Sequence, residues 1–356
     1  MNFTYTSNPS RVIFGSGTLT KLPSELSRQN LKAPLILCTP HQVAQASLVA
    51  ALLPAVAGTF TEATMHTPTH ITQKALAYAQ SVESDCIVSI GGGSTIGLGK
   101  ALSVRTGQPH ICIPTTYAGS EMTPILGETE DGRKTTRSDP KILPGTVIYD
   151  IDLTMTLPAG LSATSGVNAI AHAVEALYSS TANPITTLLA LEGIKSLAQS
   201  LPTIVNDPTN KEARSRALYG AWLCASCLGT VGMALHHKLC HTLGGSFNLP
   251  HAETHTIVLP HALAYNSKAL SQETLAKLAD ALPDSEGDPV KGLNVLLNTL
   301  GVKRALTEFG MKEEDVDKAA EIATSNPYYN PRQIRKDEIR EVIRRAVVGE
   351  EARADI

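Results

Sequence analysis

CIVSIGGGSTIGLGKALS, residues 86–103, reads as a β-strand, a tight glycine turn and a helix. The apolar, β-branched run CIVSI is short and ends at glycine, which suits a buried strand. Gly91, Gly92 and Gly93 let backbone amides approach an anion closely, and Ser94 and Thr95 open the helix behind them. That helix start carries partial positive charge and free N–H groups, the ingredients of a phosphate site. The spacing is not G-x-G-x-x-G, so a plain βα turn explains it equally well by itself.

The same alternation extends on both sides. RVIFG (11–15), PLILCT (34–39), HICIP (110–114) and TVIYD (146–150) read as strands. QVAQASLVAALLPAV (42–56), ITQKALAYAQSVES (71–84) and TIGLGKALSVR (95–105) read as helices between them. Strands alternating with helices predict parallel βαβ units. MNFTYTS (1–7) reads as a further strand, pairing in the sheet or across a dimer axis. After Asp152 strand signals fade, and from LPAGLSATSG (157–166) onward the chain reads as helix after helix, separated by breakers such as NDPTN and LPDSEGDP. The expectation is an α/β nucleotide-binding domain with a parallel sheet over 1–153 and an all-α catalytic domain over 154–356, the active site lying in the cleft between them. A second loop, IPTTYAGSE (113–121), follows a strand and offers Thr115, Thr116 and Ser120 to a nucleotide. Two such loops at the carboxyl ends of parallel strands strengthen one another.

Composition narrows the function. At 356 residues the chain buries a large core, and its net charge of −3 without a basic run argues against nucleic acid. No apolar run is long enough to span a bilayer, and the N-terminus lacks a signal core, so a soluble cytoplasmic protein is expected. Six cysteines in apolar contexts suit reduced, buried thiols. Cys224 and Cys227 form C-A-S-C inside an apolar helical pattern with no second such pair, so packing is expected of them rather than redox or metal chemistry.

GMALHHKLCHTLGGSFNLPHAETHTIVLPH (232–261) holds six of the chain's eleven histidines. His237 and His241 share a helical face. The GG and NLP that follow are expected to break that helix and return the chain to His251. Upstream, Asn168, His172 and Glu175 stand at i, i+4 and i+7. His172, His237, His241 and His251, with Asn168, are therefore expected to form one catalytic pocket. Glu175 is expected to face solvent or pair locally, and His255 and His261 to pack or cap.

GGGS after a strand, PTTxxxGSE, N-x-x-x-H-x-x-E, H-x-x-x-H…PH…LPH and the late NPR together resemble the iron-containing alcohol dehydrogenase superfamily, from VIFGSG to NPYYNPR. The strings HHKLCHTLGGSFNLPHAETHTIVLPHALAYN and GGGSTIGLGKA resemble its branch that reduces 2-maleylacetate to 3-oxoadipate in aromatic-ring catabolism. The resemblance implies NADH or NADPH as cofactor, a small dicarboxylate substrate and a homodimer. It puts Lys134 at the cofactor ribose or phosphate. The strand PLILCT is followed by TPHQ with no acid, which leaves NADH against NADPH open.

Two departures matter. Metal-dependent members carry Asp where this chain has Asn168, and His172, His237 and His251 fall on the three remaining ligand positions. An amide removes the one anionic ligand, so a metal-free site is expected, although three imidazoles hold zinc elsewhere. The superfamily's Asp three residues after the GGGS serine is Gly97 here. The substrate's carboxylates call for cations, for which Lys238 and Arg332 are candidates, and Tyr117 is a candidate contact for substrate or cofactor. The competing expectation is a metal-dependent alcohol or polyol dehydrogenase on the same fold.

Overall fold

A computed structural model describes residues 3–8, 10–130 and 133–356, the side chains of 133 and 134 excepted. The chain divides into two compact units, one of Ser7–Leu157 and one of Pro158–Ile356 with the residues up to Thr6.

The first unit runs β1 (Arg11–Gly15), α1 (Leu22–Arg28), β2 (Pro34–Leu37), α2 (Val43–Ala51), β3 (Gly58–Phe60), α3 (Thr69–Ser81), β4 (Cys86–Gly91), α4 (Gly93–Thr106), β5 (His110–Pro114), β6 (Ile125–Glu130), β7 (Arg133–Ser138) and β8 (Thr146–Asp150). Six strands form one parallel sheet in the order β1-β8-β5-β4-β2-β3. Successive residues serve opposite faces. Ile36, Val88 and Ile90 pack with Leu22, Leu26 and Val49 of α1 and α2. Leu35, Leu37 and Ile87 pack with Ala75, Ala79, Leu98 and Leu102 of α3 and α4. With both faces covered, the strands are apolar throughout rather than alternating. From β2 the chain proceeds outward to β3, and from β4 it proceeds the other way to β5 and β8. The carboxyl ends of β2 and β4 therefore flank the switch point where such sheets hold ligands.

Three features differ from the sequence reading. Residues 3–7 form no strand. The short β3 carries too few residues to give a periodic signal. The β6–β7 antiparallel hairpin is polar on most of its length, so it lacked an apolar pattern, though the Asp-Gly between its strands is a hairpin signal.

The second unit is helical: α5 (Ala159–Leu177), α6 (Pro184–Asn206), α7 (Lys211–Thr230), α8 (Leu235–Phe247), α9 (His251–Ser267), α10 (Gln272–Asp280), α11 (Pro289–Thr299), α12 (Val316–Thr324) and α13 (Lys336–Val348). Asn183, Asn210, Ser271 and Asp288 cap α6, α7, α10 and α11 through their side chains. Helix α5 is buried along nearly its whole length and packs on α6, α7 and α9. Helices α8, α9, α12 and α13 share one apolar core. The turn between α8 and α9 differs from expectation: the helix continues through Gly244 and Gly245 and stops at Asn248, which sits in the left-handed region at φ 53°. All six cysteines are free and buried. Cys224 lies where α6 approaches α7 so closely that a Cβ on Gly193 would come within 2.7 Å of its sulfur, which accords with packing. Among the described residues no single helix is long and apolar enough to cross a membrane. Helices α7 and α8 have the composition together, but they meet at 94°.

Buried histidines outside the site set an acid limit on stability. Burial, then the neighbouring Lys100, lowers His110 to about 3. Burial, then Arg304 and Arg345, lowers His261 to about 3. Unfolded imidazoles titrate near ~6.5, so the unfolded chain takes up protons first as pH falls. The contribution is intact above that value and is lost below it at about 1.4 kcal/mol per pH unit for each residue. Melting temperature should therefore fall steadily from pH 6.5 downward, and the slope should ease in a His110→Asn variant. An unchanged slope would refute this assignment.

Candidate active site

In the first unit the glycine turn expected between β4 and α4 is present as local geometry. Gly91 has φ +149°, and a Cβ there would meet Gln42 Oε1 and Thr95 Oγ1 at 2.6 Å. The start of α4 has no side-chain cap at Gly92, which leaves its first amides available to a ligand. Thr95 Oγ1 is buried without a protein partner. Gln42, beyond β2, donates through Nε2 to Thr115 Oγ1 at 2.9 Å, so the loops after β2, β4 and β5 meet. A Cβ on Gly92 would lie 3.0 Å from Thr116. Ser120 begins a 3-10 turn whose Glu121 is buried and accepts from Tyr149 Oη at 2.8 Å. The space of the missing acid at Gly97 is taken: a Cβ there would lie 2.6 Å from Thr67 Oγ1. Tyr117, the candidate contact for substrate or cofactor, is wholly buried. The Lys134 side chain lies outside the described residues.

In the second unit the histidines converge. Asn168, His172 and Glu175 lie along α5, and all three are buried. The His172 and His237 rings are 5.2 Å apart, and His237 is 6.2 Å from His241 on the same helix. Helix α9 begins at His251, which sets His255 one turn on, their rings 4.3 Å apart. His255 is the hub. Its ring also lies 4.8 Å from His236, 5.1 Å from His237 and 6.2 Å from His172. His236 Nε2 and His255 Nδ1 form a 2.9 Å hydrogen bond. His241 and His251 are exposed, whereas the other four are buried. Burial, reinforced by neighbouring imidazoles, holds His172, His236 and His255 well below the ordinary histidine value, hence neutral.

Glu175 is the largest departure from expectation. Its carboxylate is fully buried and accepts from the amides of Ala234 (2.9 Å), His236 (2.7 Å) and His237 (3.4 Å), and from His237 Nδ1 at 2.7 Å. It anchors the start of α8 and fixes His237 with Nε2 free. Five polar atoms of this group, Asn168 Oδ1, His172 Nδ1, His236 Nδ1, His237 Nε2 and His255 Nε2, are buried with no protein partner. Orphaned polar atoms are rare in interiors, and five together call for partners from outside the protein, water or a ligand.

The sequence reading gave His236 no role and expected His255 only to pack or cap and Glu175 only to face solvent or pair locally. The spacing of His251 and His255 was the available signal, hidden because NLPH resembled a loop. Lys238 is half-buried, its Nζ 5.8 Å from the Tyr328 ring. Arg332 is corrected: its guanidinium bonds the carbonyls of Tyr265 (2.9 Å) and Ile356 (3.0 Å), pairs with Glu338 (3.1 Å) and stacks on Tyr265 at 4.0 Å, so it braces the C-terminus. His261 is buried and packs, as expected.

The fold and this site place the molecule in a known group: the chain belongs to the iron-containing alcohol dehydrogenase family, whose iron-containing alcohol dehydrogenase profile matches residues 9–151 and whose Fe-containing alcohol dehydrogenase C-terminal profile matches residues 162–347. It is 52% identical over 351 residues to the maleylacetate reductase of Pseudomonas sp. (strain P51), covering 98% of this chain and 99% of that one. The crystal structure of maleylacetate reductase from Rhizobium sp. strain MTP-10005 superposes with TM-score 0.94 at 49% identity, covering 99% of both chains. That of maleylacetate reductase from Agrobacterium tumefaciens gives TM-score 0.94 at 48% identity, again over 99% of both.

Proposed function

We propose that this protein reduces the conjugated C=C bond of 2-maleylacetate to 3-oxoadipate with NADH or NADPH, in the breakdown of resorcinol- or hydroxyquinol-type aromatic compounds, without a metal ion. The observation that carries the reading is identity of about half the residues over essentially the full length of maleylacetate reductases. The nicotinamide cofactor supplies a hydride when bound. Gly91, Gly92, Gly93, Ser94, Thr95, Thr115, Thr116 and Ser120 are the residues proposed to hold it.

The substrate's alkene is conjugated to a ketone, so hydride addition at the β carbon moves charge onto the ketone oxygen as an enolate. Hydrogen-bond donors suffice to stabilise that charge. His237 presents Nε2 because Glu175 holds Nδ1. A proton must then reach the α carbon, and the exposed His241 or His251 can recharge from solvent. Asn168 contributes a neutral polar group, and Lys238 is the proposed partner of a substrate carboxylate.

The donor set at the family's metal positions fits iron poorly. Asn168, His172, His237 and His251 bring no charge, and the nearby carboxylate, Glu175, is engaged by three amides and His237. A divalent ion would carry uncompensated charge into a buried pocket. By resemblance the assembly is a homodimer.

The test is NADH oxidation with 2-maleylacetate after exhaustive dialysis against EDTA. Full turnover is expected, with no gain on adding iron or zinc, and Asn168→Asp should acquire a stoichiometric divalent ion by elemental analysis. Activity that returns only with metal would replace this reading with a metal-dependent alcohol dehydrogenase.

A further inference from the structure

His236 and Cys240 are four residues apart on α8 and therefore share a face, with His255 of α9 opposite them. His236 Nε2 lies 3.7 Å from Cys240 Sγ and 2.9 Å from His255 Nδ1, and the three atoms lie within 4.8 Å of one another, all buried. None of the three occupies a metal-ligand position of the family.

We infer that His236, Cys240 and His255 form a second, soft-metal site that takes a d10 ion such as zinc(II) and, when filled, stops turnover. Tetrahedral zinc with bonds of about 2.0 Å to nitrogen and 2.3 Å to sulfur sets its ligand atoms roughly 3.3 Å (N–N) and 3.6 Å (N–S) apart. The His236–Cys240 separation already matches, the two imidazoles need part by only a few tenths of an ångström, and Cys240 Sγ and His255 Nδ1, which lie within 4.8 Å, settle to the same N–S spacing as the ion draws them in. The site also has what the Asn168 position lacks, a ligand that becomes an anion on binding. Burial pushes the Cys240 thiol well up, with Glu175 adding to the effect, so it is protonated until an ion arrives.

The exchange balances. The ion replaces the thiol proton, which leaves to solvent. The proton held between the two imidazoles moves to the outer nitrogen of its own ring, where His236 Nδ1 and His255 Nε2 have no protein partner. The ion thereby breaks the His236–His255 bond and pins the ring at the hub, next to His251 and His237. This inhibitory consequence rests on the proposed role of the histidine group in reduction; the binding does not.

The test titrates EDTA-treated protein with cobalt(II) and zinc(II). One ion per chain is expected, with a thiolate-to-cobalt charge-transfer band in the near ultraviolet, one proton released per zinc, and loss of NADH oxidation in step with occupancy. Cys240→Ser and Cys240→Ala should fold, lose the band and bind zinc at least about 100-fold more weakly, the upper end of what removing even an outer-shell partner costs. Their turnover should persist in zinc that silences the unaltered protein. Absence of binding overturns the inference, as does zinc or cobalt bound equally by the variants without the band, which would put the ion on His172, His237 and His251. If the unaltered protein shows no maleylacetate turnover at all, the functional reading fails while the spectroscopic result stands alone.

Discussion

Replacing Glu175 by alanine is expected to destabilise the helical unit by about 3–5 kcal/mol, because one buried carboxylate is the acceptor for four donors. Three amides at the start of α8 and His237 Nδ1 all donate to this one carboxylate, and its solvent exposure is 0%. Alanine leaves four donors in a region water does not reach, and each buried unmade bond costs about 1–3 kcal/mol before relaxation. It also removes the negative charge at a helix start. Partial relaxation of α8 keeps the total below the simple sum. Glu175→Gln retains one acceptor but turns an NH2 toward donors, so it should fall between alanine and the native residue. Urea unfolding followed by circular dichroism measures this. A midpoint unmoved in Glu175→Ala would show that the carboxylate is not the anchor of α8. Turnover should fall in both variants, because His237 loses the partner that fixes its free nitrogen.

The second large effect concerns His241 and His251. Of the six rings, only these two are exposed, while burial keeps His172, His236 and His255 neutral. A proton donor must recover its proton from solvent in each cycle, which the buried rings do poorly. Of His241→Ala and His251→Ala, one should lower kcat by about 10²–10⁴-fold, the range for a lost general acid, with the KM for NADH little changed. The donor acts in its protonated form. Turnover in the native protein should therefore decline as pH rises through its pKa, and this limb should vanish in the affected variant. Should both variants retain native kcat and pH profile, the proton comes from elsewhere.

Much of this was legible in the residues. RVIFG, HICIP and TVIYD are strands at the expected bounds, because short β-branched runs between glycine and proline have few other buried solutions. The i, i+4, i+7 spacing of Asn168, His172 and Glu175 put them on one helical face, as found. Helical spacing says that residues look the same way; it does not say at what. Glu175 looks at amides 59 to 62 residues further on, so its solvent-facing expectation failed. Arg332 looked like a free cation because Tyr265, Glu338 and Ile356 are its neighbours only in space.

By itself the sequence determined the strand–helix alternation of the first unit and the helical run of the second, the glycine turn at the head of α4 and the absence of an anionic ligand at position 168. These follow from local chemistry: backbone propensity, turn sterics and side-chain identity act over a few residues. Only the tertiary structure decided that His255 is the hub, that His236 pairs with it, and that Glu175 clamps α8. Those roles arise where α5, α8 and α9 pack together, and burial there makes every polar atom find a partner or wait for a ligand.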